Sequence, residues 1–379
     1  MHPIITWLMG LVNRWLDWVF RKRNVGLGIT VACCSVLAAI VSGNVTVEAN
    51  GVLGVVDTFK FSTGGGEAGL VQSAIAWVML VGAIIGIGMT VHAYRKEAKE
   101  ADAKRVVVVE LRGLVDTSDH PLIKAVPKSI NGLKVDALVD VRQLLTGVTP
   151  NVPAALQELA HIQRHLRQVR GDTARADVQV VAGGIMPVPL LFYTGVLLDD
   201  EGHAVLMDWE RTAKVWKPLA DTDDGTRFLI SGAGSASSAR EVVLAVSASY
   251  MVEMKDVKAT FPELPLVHME RQGLTVNSSW SEENQRELTQ QFLQMLGALA
   301  NQGVELVHLI LAAPASLSIR FGMAYDVRNM PNLRCYQWNR NQIPPYEWSV
   351  EMPTSHHAPA SFIRTPVRQA IPDQERRTP

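Results

Sequence analysis

Apolar and polar positions follow three regimes along this chain. Residues 25–47 and 69–93 are long apolar runs without a single Asp, Glu, Lys or Arg. A helix needs ~20 residues to cross a hydrocarbon core of about 30 Å, so each run predicts a membrane span. Ahead of them, Trp7, Leu8, Leu11, Trp15, Trp18 and Val19 recur at helical spacing. That pattern predicts an interfacial helix within residues 1–24, its tryptophans at headgroup level. From residue 105 onward, short apolar runs alternate with longer amphipathic stretches. Val106-Val-Val-Val-Glu110 and Val178-Gln-Val-Val181 read as buried strands, and residues 204–209 as another. Residues 153–170 carry Leu156, Leu159, Ile162, Leu166 and Val169 on one helical stripe, with Asn151 as cap, Pro153 in the first turn and Gly171 as the stop.

The same order then returns. Residues 242–246 predict a strand, Ser281 caps a helix running to Asn301, and residues 306–311 and 332–338 predict two more strands. Glu282 and Glu283 lie in the first turn of that helix, where its dipole favours them. Pro187 precedes Gly195 by eight residues, and Pro314 precedes Gly322 by the same eight. Each block is followed by a strand ending in Trp-x-Arg: Trp209-Glu-Arg211 and Trp338-Asn-Arg340. Self-similarity on this scale predicts two copies of one α/β unit, over residues 105–230 and 231–355. The glycine-rich residues 232–238 precede a strand and read as the linker between the halves. Alternating strands and helices predict parallel sheets, with ligands bound beyond the carboxyl ends of the strands. The polar, Pro- and Arg-containing residues 356–379 read as a disordered tail.

Charge refines this picture. The net charge of -1 gives no global pull towards nucleic acid, so a polyanion site has to be local. Of three cysteines, Cys33 and Cys34 lie in the first apolar run and Cys335 in a strand, so no disulfide framework is readable. The first run exceeds the ~7–15 residues of a signal peptide's apolar region and starts late, which argues against a cleaved signal. Arg21, Lys22 and Arg23 precede it, while Arg95, Lys96, Lys99, Lys104 and Arg105 follow the second run. The positive-inside rule then places both termini and the soluble body in the cytosol, behind a two-helix hairpin over residues 25–104. Gly82-Ala-Ile-Ile-Gly86 has the small-residue spacing that lets membrane helices approach closely.

The four strand-end loops are residues 112–118, 183–189, 247–250 and 312–316. They supply Arg112, Gly183, Gly184, Pro187, Ser247, Ser249, Ala313, Pro314 and Ser316 as candidate ligand contacts. Small residues there let backbone N–H groups approach a phosphate, and the hydroxyls add donors. Tyr193 and Tyr250 are candidates for stacking on bases. Arg211 and Arg340 either meet phosphates or form surface ion pairs. A single such loop is best read as tight strand–helix packing; four converging loops favour a site. Trp209 and Trp338 read as core packing. Catalytic signals are weak. His161 and His165 share a helix face, but the Glu that a zinc hydrolase needs after the first His is missing. No phosphate-binding P-loop and no cysteine nucleophile is readable, so no enzyme, cofactor or metal is expected.

Gly183-Gly-Ile-Met-Pro-Val-Pro-Leu190 with Asp208-Trp-Glu-Arg211, and Val307-His-Leu-Ile-Leu-Ala-Ala-Pro-Ala-Ser316 with Tyr336-Gln-Trp-Asn-Arg340, resemble SAVED domains. These are sensor modules of bacterial antiphage (CBASS) signalling that resemble two fused CARF-like Rossmannoid units, and the resemblance covers residues 105–352. With two spans in front, the chain is similar to the transmembrane SAVED effectors. The resemblance implies an α/β fold: a transmembrane hairpin followed by two pseudo-symmetric CARF-like units. It also implies a cyclic oligonucleotide second messenger, often a cyclic trinucleotide, made by a partner synthase. Homo-oligomer formation on ligand binding and a disruptive effect on the lipid bilayer of the inner membrane are further implications. Two other functions compete: a membrane-tethered CARF-like hydrolase of cyclic oligonucleotides, and a passive scaffold.

Overall fold

The structure, a computed structural model, describes residues 25–41, 47–49, 59–61, 69–147, 150–171, 173–199, 204–237, 239–274, 280–340, 342–354 and 359–366. The expected interfacial helix within residues 1–24 and the end of the tail, residues 367–379, lie outside them. The chain divides into two compact units, Met1–Asp102 and Ala103–Pro379.

In the first unit, helix α1 (Val25–Val41) is followed by the short strands β1 (Val47–Ala49) and β2 (Phe59–Phe61) and by helix α2 (Gly69–Ala103). β1 and β2 pair antiparallel, a hairpin the sequence pattern did not suggest. Within α2, Ala74–Lys96 is long and apolar enough to cross a membrane. Trp77, Val78 and Ile84 on it are 65%, 66% and 60% exposed, a surface that suits lipid rather than water. The described part of the first span has 17 residues, roughly 25 Å of helix; residues 42–46 lie outside the described ones. The two helices meet at glycines. A Cβ on Gly86 would stand 2.8 Å from the Gly26 carbonyl oxygen, and one on Gly26 would stand 2.8 Å from the Gly86 oxygen. Thr30 and Thr90 flank this crossing and return their hydroxyl hydrogens to Gly26 O and Gly86 O at 2.9 and 2.8 Å. The spacing Gly82–Gly86 is thus used inside the chain.

In the second unit, strands β3 (Arg105–Arg112), β4 (Leu133–Asp140), β5 (Val178–Ile185), β6 (Ala204–Glu210) and β7 (Val215–Pro218) form a sheet in the order β4-β3-β5-β6-β7. A second sheet contains β8 (Phe228–Ser231), β9 (Glu241–Ser247), β10 (Leu266–Arg271), β11 (Leu306–Ala312), β12 (Asn332–Gln337), β13 (Trp348–Glu351) and β14 (Ser361–Arg364), in the order β14-β13-β12-β11-β9-β10-β8. Stripped of its outermost strands, the second sheet repeats the first: β10-β9-β11-β12-β13 matches β4-β3-β5-β6-β7, parallel except for the last strand. β3 is buried on both faces, with Val107 and Val109 in one core and Val106 and Val108 in another, as its unbroken valine run required.

The matching helices are α3 (Val152–Arg170) and α6 (Glu282–Asn301), then α4 (Val188–Leu198) and α7 (Ala315–Ala324); α5 (Met254–Thr260) covers the far side of the second sheet. Asn151 and Ser281 cap α3 and α6 by accepting the Ala154 and Asn284 amides at 3.2 and 3.1 Å. α4 and α7 cross where the halves join. A Cβ on Gly195 would lie 2.8 Å from Gly322 Cα and nearer still to the Ile319 oxygen; one on Gly322 would lie 3.0 Å from Gly195 Cα and closest to the Phe192 oxygen. The two glycines marked by the repeated proline spacing are therefore each other's packing partner. Around them Phe192, Phe292 and Phe321 belong to one core that runs through both halves, the last two rings stacked at 4.3 Å.

Two boundaries differ from expectation. β8 ends at Ser231 yet pairs antiparallel with β10, so the glycine-rich stretch after it is an internal turn of the second sheet rather than the link between halves. Residues 361–364, expected to be disordered, form β14 and pair with β13.

Candidate ligand-binding cavity

Both sheets end their parallel strands on one cavity of about 950 Å³. Its walls begin with a matched pair of backbone forks. Gly113 N and Leu114 N both donate to Ile185 O, at 3.0 and 2.9 Å; Ala248 N and Ser249 N both donate to Ala312 O, at 2.9 and 3.0 Å. The chain leaving β3 is thereby tied to the end of β5, just as the chain leaving β9 is tied to the end of β11.

The halves are joined beside the cavity by a buried carboxylate. Asp208 on β6 accepts the Ser316 amide at 3.2 Å and its hydroxyl at 2.7 Å, while the Trp209 amide donates to its other oxygen at 2.9 Å. Gln285 of α6 donates to Ser316 Oγ at 2.8 Å. Burial pushes the Asp208 carboxyl above the usual range, against the pull of these hydrogen bonds. The carboxylate also occupies the positive end of α7, where its charge is favoured.

Eight of the sequence-predicted residues line the cavity: Gly184 and Pro187, Arg211, Ser249 and Tyr250, Ala313 and Pro314, and Arg340. Arg211 Nη1 donates to the Tyr250 hydroxyl at 3.2 Å, linking the two halves across the opening. Five others are placed elsewhere. Arg112 is 6% exposed and donates to Glu110 at 2.7 Å and Ser118 at 2.9 Å, bracing its own loop. Gly183 is packed within the sheet: a Cβ there would meet Met207 O and the Trp216 ring at 2.9 Å each. Tyr193 is buried in α4, and its hydroxyl accepts the Ala360 amide. Ser247 is buried, accepts the Val252 amide at 3.0 Å and lies 2.9 Å from His268 Nε2. Ser316 is consumed by Asp208. The buried hydroxyls hold loops in place; sequence alone cannot tell such a hydroxyl from one facing a ligand.

Trp209 packs against the core around Trp216, as core packing requires, but it also lines the cavity, and the core reading is corrected for the exposed Trp338, which lines it too. Trp209 stands edge-on to Trp216 at 5.2 Å, which fixes its plane. Trp338 is 41% exposed, donates from Nε1 to Asp256 at 2.9 Å, and has the Arg340 guanidinium 5.7 Å from its ring centre. The repeated Trp-x-Arg was thus the better signal. Glu253, Lys255 and Asp256 at the start of α5 also line the cavity; no periodicity marked that seven-residue helix. The cavity therefore combines three cations (Arg211, Lys255, Arg340) with exposed aromatic rings, the pairing suited to phosphates and bases. Among the described residues no group of His, Cys, Asp or Glu is arranged to hold a metal ion.

A family model described as the SMODS-associated and fused to various effectors sensor domain, SAVED, matches residues 162–352, half of the chain. A second, the SAVED-fused 2TM effector domain, matches residues 5–156. The two matches meet within α3, whereas the α/β unit already begins at Ala103; β3, though outside the SAVED match, is a central strand of the first sheet. No curated protein matches the chain. Among solved structures, the Acinetobacter baumannii Cap4 SAVED/CARF-domain containing receptor is similar in two forms, with the cyclic trinucleotides 2'3'3'-cAAA and 3'3'3'-cAAA. Each is 10% identical over 75% of this chain and 60% of that one, with a TM-score of 0.44. The Moraxella osloensis Cap4 receptor is 10% identical over 75% and 59%, with a TM-score of 0.42. The chain thus spans 60% or less of the length of these receptors. With its sensor match covering half of the sequence, the chain belongs to the SAVED family and carries a SAVED sensor domain fused to a 2TM effector domain.

Proposed function

We propose that this protein is a membrane-anchored sensor-effector of bacterial antiphage defence, whose SAVED domain captures a cyclic oligonucleotide. The observation that carries the proposal is the cavity at the joined strand ends, with Arg211 and Arg340 at equivalent places beside Trp209 and Trp338. Its volume of about 950 Å³ lies at the upper end of small-molecule sites, about 300–1,000 Å³. Three cations suit a ring of three phosphates, and planar guanidinium groups suit phosphate oxygens. The ligand is a cyclic trinucleotide supplied by a partner synthase. Its capture assembles several chains, and crowding of their hairpins in the inner membrane disrupts the bilayer. The basic flanks of the apolar runs support a topology with both termini and the sensor in the cytosol.

The test uses the full chain in detergent. Cyclic tri-adenylate and cyclic dinucleotides are added in a thermal-shift series, since a ligand of the folded state raises stability by mass action. A selective rise with cyclic trinucleotides is expected; none with any cyclic oligonucleotide sinks the proposal. In cells supplied with ligand, deletion of residues 1–104 should abolish membrane depolarisation. The competing hydrolase reading has one arrangement to consider. Ser247 Oγ lies 2.9 Å from His268 Nε2, and His268 lies 4.0 Å from Glu270. Ser247 is fully buried, however, and its oxygen is held by the Val252 amide, which argues against a nucleophile.

A further inference from the structure

The cavity contains a carboxylate that phosphate binding does not explain. Glu253 is exposed to the cavity, three residues before the Asp256 that holds Trp338. Its side chain does not cap α5, and among the described residues it has no hydrogen-bond or ion-pair partner. Arg211 is engaged with Tyr250, and Arg340 lies over Trp338. A free anion in a polyanion site repels phosphate and weakens binding unless the ligand offers it N–H groups. Bases do so along their edges. The Asp256 hydrogen bond fixes the orientation of the Trp338 ring, and Glu253, three residues before Asp256, lines the same cavity, so the edge of a base stacked on that ring is the part of the ligand offered to Glu253.

The four bases differ at that edge. Guanine presents two adjacent donors, N1–H and the N2 amino group, which match both oxygens of one carboxylate. Adenine and cytosine each set a ring-nitrogen lone pair beside their amino group, against the second oxygen. Uracil flanks its single N–H with two carbonyl oxygens. Building on the sensor reading above, we propose that Glu253 is a specificity-determining residue that selects guanine at the Trp338 station. One position of the cyclic trinucleotide is then a guanosine. The equivalent loop of the other half contributes only Leu114, and the carboxylate that half brings to the cavity, Asp208, is tied to Ser316. The selection therefore applies to one base of the ring.

A glutamine at this position reverses the pattern, because its amide pairs a carbonyl acceptor with an N–H donor, the complement of adenine. The experiment titrates the full chain in detergent, by calorimetry and by quenching of tryptophan fluorescence. The probes are cyclic tri-adenylate and the cyclic trinucleotide with one adenine replaced by guanine. The wild-type chain should bind the guanine-containing ring roughly ten- to a hundredfold more tightly, the range of one bidentate base contact. Glu253→Gln should bring the two rings level or invert their order without loss of the tri-adenylate affinity. A residue that merely supports the fold would weaken both rings alike. Wild-type preference for tri-adenylate, or an unchanged ratio in Glu253→Gln, overturns the assignment while leaving the sensor reading intact. Failure of the wild-type chain to bind either ring overturns the assignment, and the sensor reading falls with it when no cyclic oligonucleotide of the thermal-shift series binds.

Discussion

The crossing of α4 and α7 offers a sharp test of how the two halves are held together. In Gly322→Ala a single methyl group is added where a Cβ would lie 2.9 Å from the Phe192 carbonyl carbon, 3.0 Å from Gly195 Cα, and closer still to the Phe192 oxygen. Carbon atoms in ordinary contact are about 3.5–4.0 Å apart. The obstacles are backbone atoms of a helix, so no rotamer change relieves them. The helices must separate by roughly 0.5–1 Å, and a gap of that size forfeits a quarter to a half of each dispersion contact along the seam. Overpacking of cores costs typically 1–3 kcal/mol; with backbone on both sides the upper end applies, about 3 kcal/mol. At about 2–4 °C per kcal/mol for a domain of this size, the melting temperature should fall by about 6–12 °C. The control is Gly297→Ala in α6, where nothing lies within 4 Å of the added methyl; replacing a helical glycine there should be neutral or stabilising by about 0.5–1 kcal/mol. Both are read by thermal unfolding of the full chain in detergent. If Gly322→Ala melts with the wild type, the two halves do not rest on this crossing.

Three further outcomes follow from the same geometry. Removing the cavity cations one at a time, as Arg211→Ala or Arg340→Ala, should each cost about 1.5–3 kcal/mol of binding to cyclic tri-adenylate by calorimetry, or roughly ten- to 150-fold; unchanged affinity in both would exclude them as phosphate contacts. Burial raises the Asp208 carboxyl above its ordinary range, so the folded state binds that proton more tightly than the unfolded chain does. Its contribution therefore favours folding at low pH and is lost as pH climbs from about 3.9 through the raised native value. Melting curves of wild type and Asp208→Asn between about pH 4 and pH 8 should show the wild type losing ground to the variant as pH rises; a constant difference refutes the assignment. In the membrane unit, a Cβ on Gly82 would stand 2.8 Å from Cys33 Sγ. Oxidised Gly82→Cys should therefore close an intramolecular disulfide and lose two free thiols; a fully reactive Cys33 would contradict the helix pairing.

The repeated features of the sequence carried most of the architecture. Valine runs buried on both faces, the caps Asn151 and Ser281, and the matched Pro–Gly spacings all mark positions where one local rule decides. The site was only partly legible, for a physical reason. Ser247 and Ser316 look like ligand hydroxyls on strand-end loops, but each is consumed by a neighbour far away in the chain: His268 and the Val252 amide for one, Asp208 and Gln285 for the other. Trp209 and Trp338 looked like core because aromatic residues at strand ends usually are; these strand ends open onto the cavity, so both rings line it while Trp209 keeps its packing against Trp216. Glu253 and Asp256 sit at the start of a helix too short to leave a periodic trace. β14 escaped notice because four residues at a sheet edge need only one partner strand, and a polar flank hides them.

The bond between Asp208 and Ser316 has a consequence for ancestry. If both halves descend from one repeated segment, an acidic strand end now plugs the start of a helix in its sister, and the reciprocal plug is missing: the place of Asp208 in the second copy is held by Gln337. Once that one-way tie existed, neither copy was free to drift alone. A tandem duplication had become a single inseparable body with a defined left and right.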